Sequence, residues 1–148
     1  MVAGMKIIAF DLGGTMAYAE DKHVNHRTFT GSRLERFCAI QRWLAELMWQ
    51  PYDIVVYETP LVRGQDATRS LWGIAGILEA TVTQAQKPII NIAVPTIKKF
   101  ATGDGMAAKI EMLRAAKKFG YRGDNEHEAD AVCLLAYAKA NLERAHVY

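Results

Sequence analysis

Apolar residues in this chain form short continuous runs, separated by longer segments in which they recur every three or four positions. Three runs, at 6–10, 53–58 and 88–94, predict buried strands because they are short, apolar and bounded by turn-forming or charged residues. The more polar stretch 15–30 contains scattered threonine, tyrosine, valine and phenylalanine and predicts two further strands. Those two would follow the first strand as an antiparallel meander, which gives a five-stranded sheet in all.

Helical spacing of apolar residues predicts the segments between the later strands. A capping box at 32–35 begins one helix, which extends to about residue 50 and ends before a proline. A second helix covers 66–86 and is apolar on both sides, and Gly73 and Gly76 flatten one of these sides. Such a helix is either buried within its own chain or forms an interface between subunits, and we favour the interface.

Three more helices are predicted after the last strand. They are a short helix over 95–100, a basic helix over 107–119 and an apolar helix from 124 or 125 to about 145. A strand meander followed by alternating strands and helices indicates an α/β protein with a mixed sheet flanked by helices. In such sheets, functional groups gather at the carboxyl ends of the parallel strands.

The composition is that of an ordinary globular protein, with 51% hydrophobic and 23% charged residues in a chain of 148. This length predicts a single domain over 1–148. No apolar run approaches the roughly 20 residues of a membrane helix, and we expect no signal peptide. Cys38 and Cys133 fall in apolar helical patterns and are expected to be buried free thiols, so the chain is predicted to be cytoplasmic.

Acidic residues directly follow two of the buried strands. Asp11 ends the first and Glu58 the second, where a buried carboxylate is costly unless it is paired or bound to a metal ion. Asp130 lies near the start of the last helix, with His127 three residues earlier on the same face. If these groups converge, three carboxylates and one imidazole suit Mg²⁺ or Mn²⁺, and two such ions would clamp an in-line attack at phosphorus.

The start of the last helix and the loop after Asp11 also have other interpretations. His127 could cap the helix or lie on the surface, and Glu126 and Glu128 could compensate the helix dipole. The Gly-Gly-Thr sequence that follows Asp11 is equally typical of a loop that cradles a nucleotide phosphate. Spacing alone leaves these alternatives open.

Positive charge is concentrated in one segment, although the net charge of the chain is only +2. Residues 96–122 include seven basic and two acidic residues, a local excess of five positive charges. This segment is either a solvated helix face or a surface for a phosphate backbone. Its lysines are Lys98, Lys99, Lys109, Lys117 and Lys118.

Four motifs, in order and at matching separations, resemble those of the RuvC family of Holliday-junction resolvases within the RNase H-like superfamily. The resemblance extends from Lys6 to about Ala140, and the motifs read IIAFDLG, IVVYETP, VPTIKKFATGDGMAAKIEML and HEADAVCLLAYA. It implies an RNase H-like fold and a homodimeric, metal-dependent endonuclease of DNA recombination and repair. Such an enzyme nicks symmetric strands of a four-way DNA junction by attack of water on a phosphodiester, leaving a 5′-phosphate and a 3′-hydroxyl.

The resemblance also implies roles for individual residues. Two Mg²⁺ or Mn²⁺ ions in each active site would be held by four catalytic residues, which are Asp11, Glu58, His127 and Asp130. Lys98 and Lys109 match the family's lysines that contact the DNA backbone. Further candidates for DNA binding are Lys99, Lys117, Lys118 and Arg63.

Two departures from the family pattern bear on function. The family's aromatic wedge after the second acid is replaced by TPLVRGQ, in which Leu61 stands near the wedge position. The first loop is extended by Gly-Thr and leads into a short meander, which resembles phage or virus-type resolvases. Three other functions remain open: an RNA-processing nuclease of the YqgF type, an ATP-binding sugar kinase fragment of the actin-like superfamily, and a non-enzymatic nucleic-acid module.

Overall fold

The computed structural model of the protein describes residues 4–142, apart from 22 and 63. Arg63 and the predicted end of the last helix near 145 therefore lie outside the described residues. Within these limits there are five strands and five helices. The strands are β1 (Ile7–Asp11), β2 (Thr15–Glu20), β3 (His23–Thr28), β4 (Ile54–Glu58) and β5 (Ile89–Ile92), and the helices are α1 (Arg33–Leu47), α2 (Gln65–Gln84), α3 (Val94–Thr102), α4 (Lys109–Lys118) and α5 (Glu126–Leu142).

The strands form one mixed sheet in the order β3-β2-β1-β4-β5. β1, β2 and β3 are an antiparallel meander, whereas β1, β4 and β5 run parallel to one another. The sequence predicted this mixed α/β arrangement, and the structure confirms it. The parallel part places the carboxyl ends of β1 and β4 side by side, which is where ligands bind in open α/β sheets.

Apolar side chains cover both faces of the central strands, which explains their continuous apolar runs. In β1, Ile7 and Ala9 face α5, whereas Ile8 and Phe10 face α1 and α2. The α1 side is closed by packed aromatic rings, among which Trp43 of α1 contacts Phe10 with ring centroids 6.3 Å apart. Because side chains alternate along a strand, Asp11 shares the face of Ala9 and lies on the α5 side.

The prediction that both cysteines are buried is wrong for Cys38. Cys133 is buried in α5, and its thiol donates to the backbone carbonyl of Met112 at 3.6 Å. Cys38 is exposed because α1 buries Ile40 and Leu44, and a residue two positions before Ile40 lies about 200° around the helix from it.

The flat side of α2 at Gly73 is occupied by packing within the chain. A Cβ atom at Gly73 would lie 2.5 Å from Cζ of Phe37, so the ring of this α1 residue sits directly against the glycine. Gly76 has no atom within 4 Å of such a position and remains on the exposed side of the helix. At Gly73, this side of α2 therefore packs against α1 and is not a free surface. Among the described residues, no helix is long and apolar enough to cross a membrane.

Candidate metal centre

Three carboxylates from three different elements converge at the carboxyl end of the parallel strands. The register that pairs Phe10 with Tyr57 places Asp11 and Glu58 at neighbouring strand ends. The first turns of α5 bring Asp130 to the same place, and one oxygen of each carboxylate lies within 4.8 Å of the others. The sequence predicted these three acids as a group, and the structure brings them together.

The start of α5 is fixed by side chains of the preceding loop. Oδ1 of Asn125 accepts hydrogen bonds from the backbone amides of His127 and Glu128, each at 3.0 Å. The hydroxyl of Tyr121 accepts from the amide of Asn125 at 3.0 Å and donates to Glu128 at 2.8 Å. Gly123 permits this arrangement because a Cβ atom there would lie 2.4 Å from the Tyr121 hydroxyl. The loop thereby fixes the helix turn that carries Asp130.

Two hydrogen bonds between imidazole and carboxylate join this helix turn to the sheet. Nδ1 of His127 lies 3.0 Å from Oδ2 of Asp11, and Nδ1 of His26 lies 2.5 Å from Oε2 of Glu128. His26 stands in the same row of the sheet as Asp11, because Ala17 of β2 pairs with both. The sequence gives no signal for the role of His26, because this residue lies in a polar edge strand and belongs to no motif.

His127 is placed beside the carboxylate cluster, where it bonds to one of its members. The hydrogen bond to Asp11 raises the pKa of His127 above its usual value, although burial opposes this effect. An imidazole held in this way orients the carboxylate that it touches. Direct metal binding by His127 remains a prediction.

Burial raises the pKa of all three acids, and repulsion from other acids of the cluster adds to the increase for Glu58 and Asp130. For Asp11, burial raises the pKa and the hydrogen bond from His127 opposes the increase. For Glu58, burial and then the negative charges of Asp11 and Asp130 raise the pKa well above the usual 4.5. Burial, followed by the charge of Asp11, raises the pKa of Asp130 to about 7. Three crowded oxygen donors of this kind fit a hard divalent cation such as Mg²⁺ or Mn²⁺, whose charge would relieve the repulsion.

The predicted lysines differ in their distance from the carboxylates. The positive charge of Lys98 lowers the pKa of Glu58 and Asp130, which places this residue within electrostatic reach of both. Nζ of Lys109 lies 3.0 Å from Oε1 of Glu126, and that oxygen lies 3.8 Å from Nε2 of His127. The positive charges of Lys98 and Lys109 therefore both act on the carboxylate cluster. The other lysines of the basic segment are exposed on α3 and at the end of α4, namely Lys99, Lys117 and Lys118.

Apolar side chains lie beside the carboxylates of Asp11 and Glu58 at the strand ends. Asp11 and Glu58 open into a small cavity of about 80 Å³, whose walls include Leu61, Leu71 and Val94. Leu61, which the resemblance to resolvases places near their wedge position, lines this cavity and is 45% exposed, so its side chain is available for contact.

Comparison with known proteins supports the fold through structure alone. No family model matches the sequence, and a search of curated proteins found no match. The Thermus thermophilus RuvC structure is similar over 96% of both chains, with a TM-score of 0.75 and 17% identity. T. thermophilus RuvC in complex with Holliday junction substrate gives a TM-score of 0.79 and 18% identity, over 92% of this chain and 94% of the other. The protein therefore has the RNase H-like fold of RuvC.

A more distant similarity involves a larger nucleic-acid complex. Part of the chain in the cryo-EM structure of the Cas12f1-sgRNA-target DNA complex is similar, with a TM-score of 0.50 and 13% identity. The match covers 90% of this chain but 39% of that one.

Proposed function

We propose that this protein is a divalent-metal-dependent endonuclease that cuts branched DNA, with the four-way junction as its substrate. The observation that carries the proposal is the convergence of Asp11, Glu58 and Asp130 within 4.8 Å at the end of a RuvC-like sheet. The similarity to RuvC in complex with Holliday junction substrate supports the choice of substrate. Fold similarity alone does not assign an activity, so the acidic cluster is the decisive feature.

The proposed active site uses the side chains in distinct roles. Asp11, Glu58 and Asp130 would hold Mg²⁺ or Mn²⁺, as two ions in each site, with His127 as a fourth ligand or as the group that orients Asp11. The chemistry that these ions supply in such a site is activation of water and neutralisation of charge on the reacting phosphate. The apolar residues beside Asp11 and Glu58 would lower the local dielectric constant and so strengthen electrostatic interactions at the site.

The lysines of the centre would bind and orient the DNA backbone. Lys98 lies near the carboxylates, so its ammonium group would contact a phosphate next to the scissile one. Lys109 is held by Glu126 and would exchange this exposed ion pair for a phosphate when DNA binds. A symmetric homodimer would present two such sites to opposing strands of a junction. Gly76 and the exposed side of α2 remain a candidate for the dimer interface.

A cleavage panel tests this function. The parent protein is incubated with a four-way junction, a linear duplex and a structured RNA in Mg²⁺, Mn²⁺ or EDTA. We expect cleavage of the junction that requires metal and leaves a 5′-phosphate and a 3′-hydroxyl. Asp11→Asn and Glu58→Gln should each lower the rate by at least about a hundredfold. The matched control is Asp66→Asn, which removes an exposed acid from the first turn of α2.

Three results would contradict the proposal. Preferential cleavage of the RNA would indicate an RNA-processing nuclease, and specific binding of ATP at micromolar concentration would indicate a kinase. Undiminished cleavage by both carboxylate variants would show that the acidic cluster does not carry the reaction.

A further inference from the structure

The sequence contains the triplet Lys-Lys-Phe twice, near the ends of two consecutive helices. One copy, 98–100, lies in the last turns of α3, and the other, 117–119, closes α4. The two helices bring Phe100 and Phe119 together as stacked rings, with centroids 5.9 Å apart and an angle of 13° between the planes. Tyr137 of α5 meets the Phe100 ring edge-on at 5.5 Å, which fixes the pair in place.

The Phe100–Phe119 pair is well packed yet open to solvent. Phe100 is 39% exposed and Phe119 is 43% exposed, even though each ring contacts another aromatic ring. The rings line a groove of about 560 Å³, together with Tyr121, Val132 and Leu135 among others. An exposed aromatic surface in such a groove is typical of a surface that contacts another molecule.

The charges around the pair indicate a polyanion. Lys99, Lys117 and Lys118 are exposed beside the rings in sequence, and none of them forms an ion pair within the part of the chain that the structure describes. The two acids that also line this groove, Glu20 and Asp21, already have partners. Tyr52 donates a hydrogen bond to Glu20, and Lys139 forms an ion pair with Asp21.

We propose that the Phe100–Phe119 pair and its three exposed lysines bind an unpaired single strand of nucleic acid. Exposed aromatic rings flanked by basic side chains are a common means by which proteins hold single strands without reading their sequence. An acidic, phenylalanine-containing peptide would satisfy the same charges, but the lysines continue the basic segment toward Lys98 at the carboxylates, which favours a continuous nucleic-acid strand.

The surface lies outside the carboxylate centre. Lys109, at the start of α4, contacts Glu126 at the start of α5, and Phe119 follows the ten residues of α4. At 1.5 Å per residue, the aromatic pair is about 15 Å along α4 from the first turn of α5. The proposal rests on the nucleic-acid function proposed above, and adds a place where a few nucleotides of an unpaired strand are held.

Binding measurements in EDTA test the proposal separately from cleavage. Fluorescent oligo(dT) of about 20 nucleotides and a blunt duplex of equal length are titrated with the parent and with Phe119→Leu and Phe100→Leu. Each leucine variant should bind oligo(dT) about tenfold more weakly and the duplex as tightly as the parent. Phe119→Tyr keeps the aromatic face and should restore the affinity. Trp49→Leu, which changes an 88% exposed ring elsewhere, is the matched control.

Salt dependence reports on the lysines. The double variant Lys117→Gln/Lys118→Gln should lower the slope of log affinity against log salt for oligo(dT) by about 1.4, which corresponds to two phosphate contacts. The two leucine variants should leave this slope unchanged, because stacking releases no counterions. Thermal unfolding checks that every variant is folded.

Several outcomes would overturn the proposal. One is equal binding of oligo(dT) by Phe119→Leu and the parent, and another is an equal loss in Trp49→Leu. Binding of an acidic phenylalanine-containing peptide that depends on Phe119, without such binding of oligo(dT), would identify a protein partner instead. Junction cleavage by the parent in Mg²⁺ is measured in parallel. Its absence would count against the proposed nuclease, whereas the EDTA titrations alone decide on the Phe100–Phe119 pair.

Discussion

Replacing Asp130 by asparagine should stabilise the metal-free protein. Asp130 is largely buried beside Asp11, and these surroundings raise its pKa from the ordinary 3.8 to about 7. An acid whose pKa is raised by folding holds its proton more tightly in the folded state. Stability is therefore lost as the pH rises from about 4 through about 7, and the whole penalty is present at pH 8.

The size of the effect follows from the two pKa values. A change from 3.8 to about 7 corresponds to about 4 kcal/mol at pH 8. Asparagine has nearly the same shape but carries no charge, so it removes this penalty and also the repulsion that Asp130 exerts on Glu58. Because Asp130 titrates next to two other buried acids whose charges affect its own, we expect a gain of about 2 to 4 kcal/mol. The corresponding rise in Tm is about 4 to 16 °C for a chain of this size.

Urea and thermal unfolding in EDTA at pH 8 and at pH 4.5 measure this gain. Asp130→Asn should be more stable than the parent by about 2 to 4 kcal/mol at pH 8 but by only about 1 kcal/mol or less at pH 4.5, whereas Asp66→Asn should change little at either pH. Added Mg²⁺ should raise the Tm of the parent and have little effect on Asp130→Asn, because only the complete carboxylate set binds the ion well. Lower stability of Asp130→Asn in EDTA at pH 8, or an equal gain at both pH values, would refute the reasoning.

Three further predictions concern the surroundings of the centre. Glu128→Ala removes the hydrogen bonds to His26 and Tyr121 that fix the start of α5, and should weaken Mg²⁺ binding in calorimetry by about tenfold. The loss should be smaller in Glu128→Gln, and unchanged Mg²⁺ affinity in both variants would contradict this role of Glu128. Glu126→Gln removes the ion-pair partner of Lys109 and should tighten junction binding in EDTA, whereas Lys109→Gln should lower the slope of log affinity against log salt by about 0.9. If neither variant changes junction binding, Lys109 does not exchange Glu126 for a DNA phosphate. Gly73→Ala places a Cβ against the ring of Phe37 and should lower the free energy of unfolding in urea by about 1 to 3 kcal/mol. Gly76→Ala, where no atom is near, should raise it by up to about 1 kcal/mol, and similar effects at both sites would contradict the packing described for α2.

Most of the fold could be predicted from local patterns, because each pattern has one dominant physical cause. Runs of β-branched residues such as those in β1 and β4 are buried on both faces of a sheet, and the capping box at Ser32 fixes the start of α1. The acids that end these strands were identifiable because a buried carboxylate is costly unless it is paired or binds a metal ion. Asp130 was identifiable through its motif, and the structure places it beside the other two.

Other features depend on which surfaces meet in three dimensions, and the sequence does not contain that information in any local pattern. Cys38 lies among apolar residues but on the outer side of α1, since only the helix phase relative to the sheet decides its exposure. The bond between His26 and Glu128 joins residues 102 positions apart and belongs to no motif. The sequence favoured a subunit interface at Gly73, whereas the structure places the ring of Phe37 from the same chain against it. The roles of the site residues themselves remain predictions.

The most direct test of the central claim is strand-resolved cleavage of an end-labelled four-way junction by the parent protein in Mg²⁺. We expect paired nicks at symmetric positions in two opposing strands, which DNA ligase reseals because each nick carries a 5′-phosphate and a 3′-hydroxyl. The nicks should disappear in EDTA and in Asp11→Asn. An intact junction, or nicks that persist in EDTA, would contradict the assignment of Asp11, Glu58 and Asp130 as the metal centre of a junction-cutting nuclease.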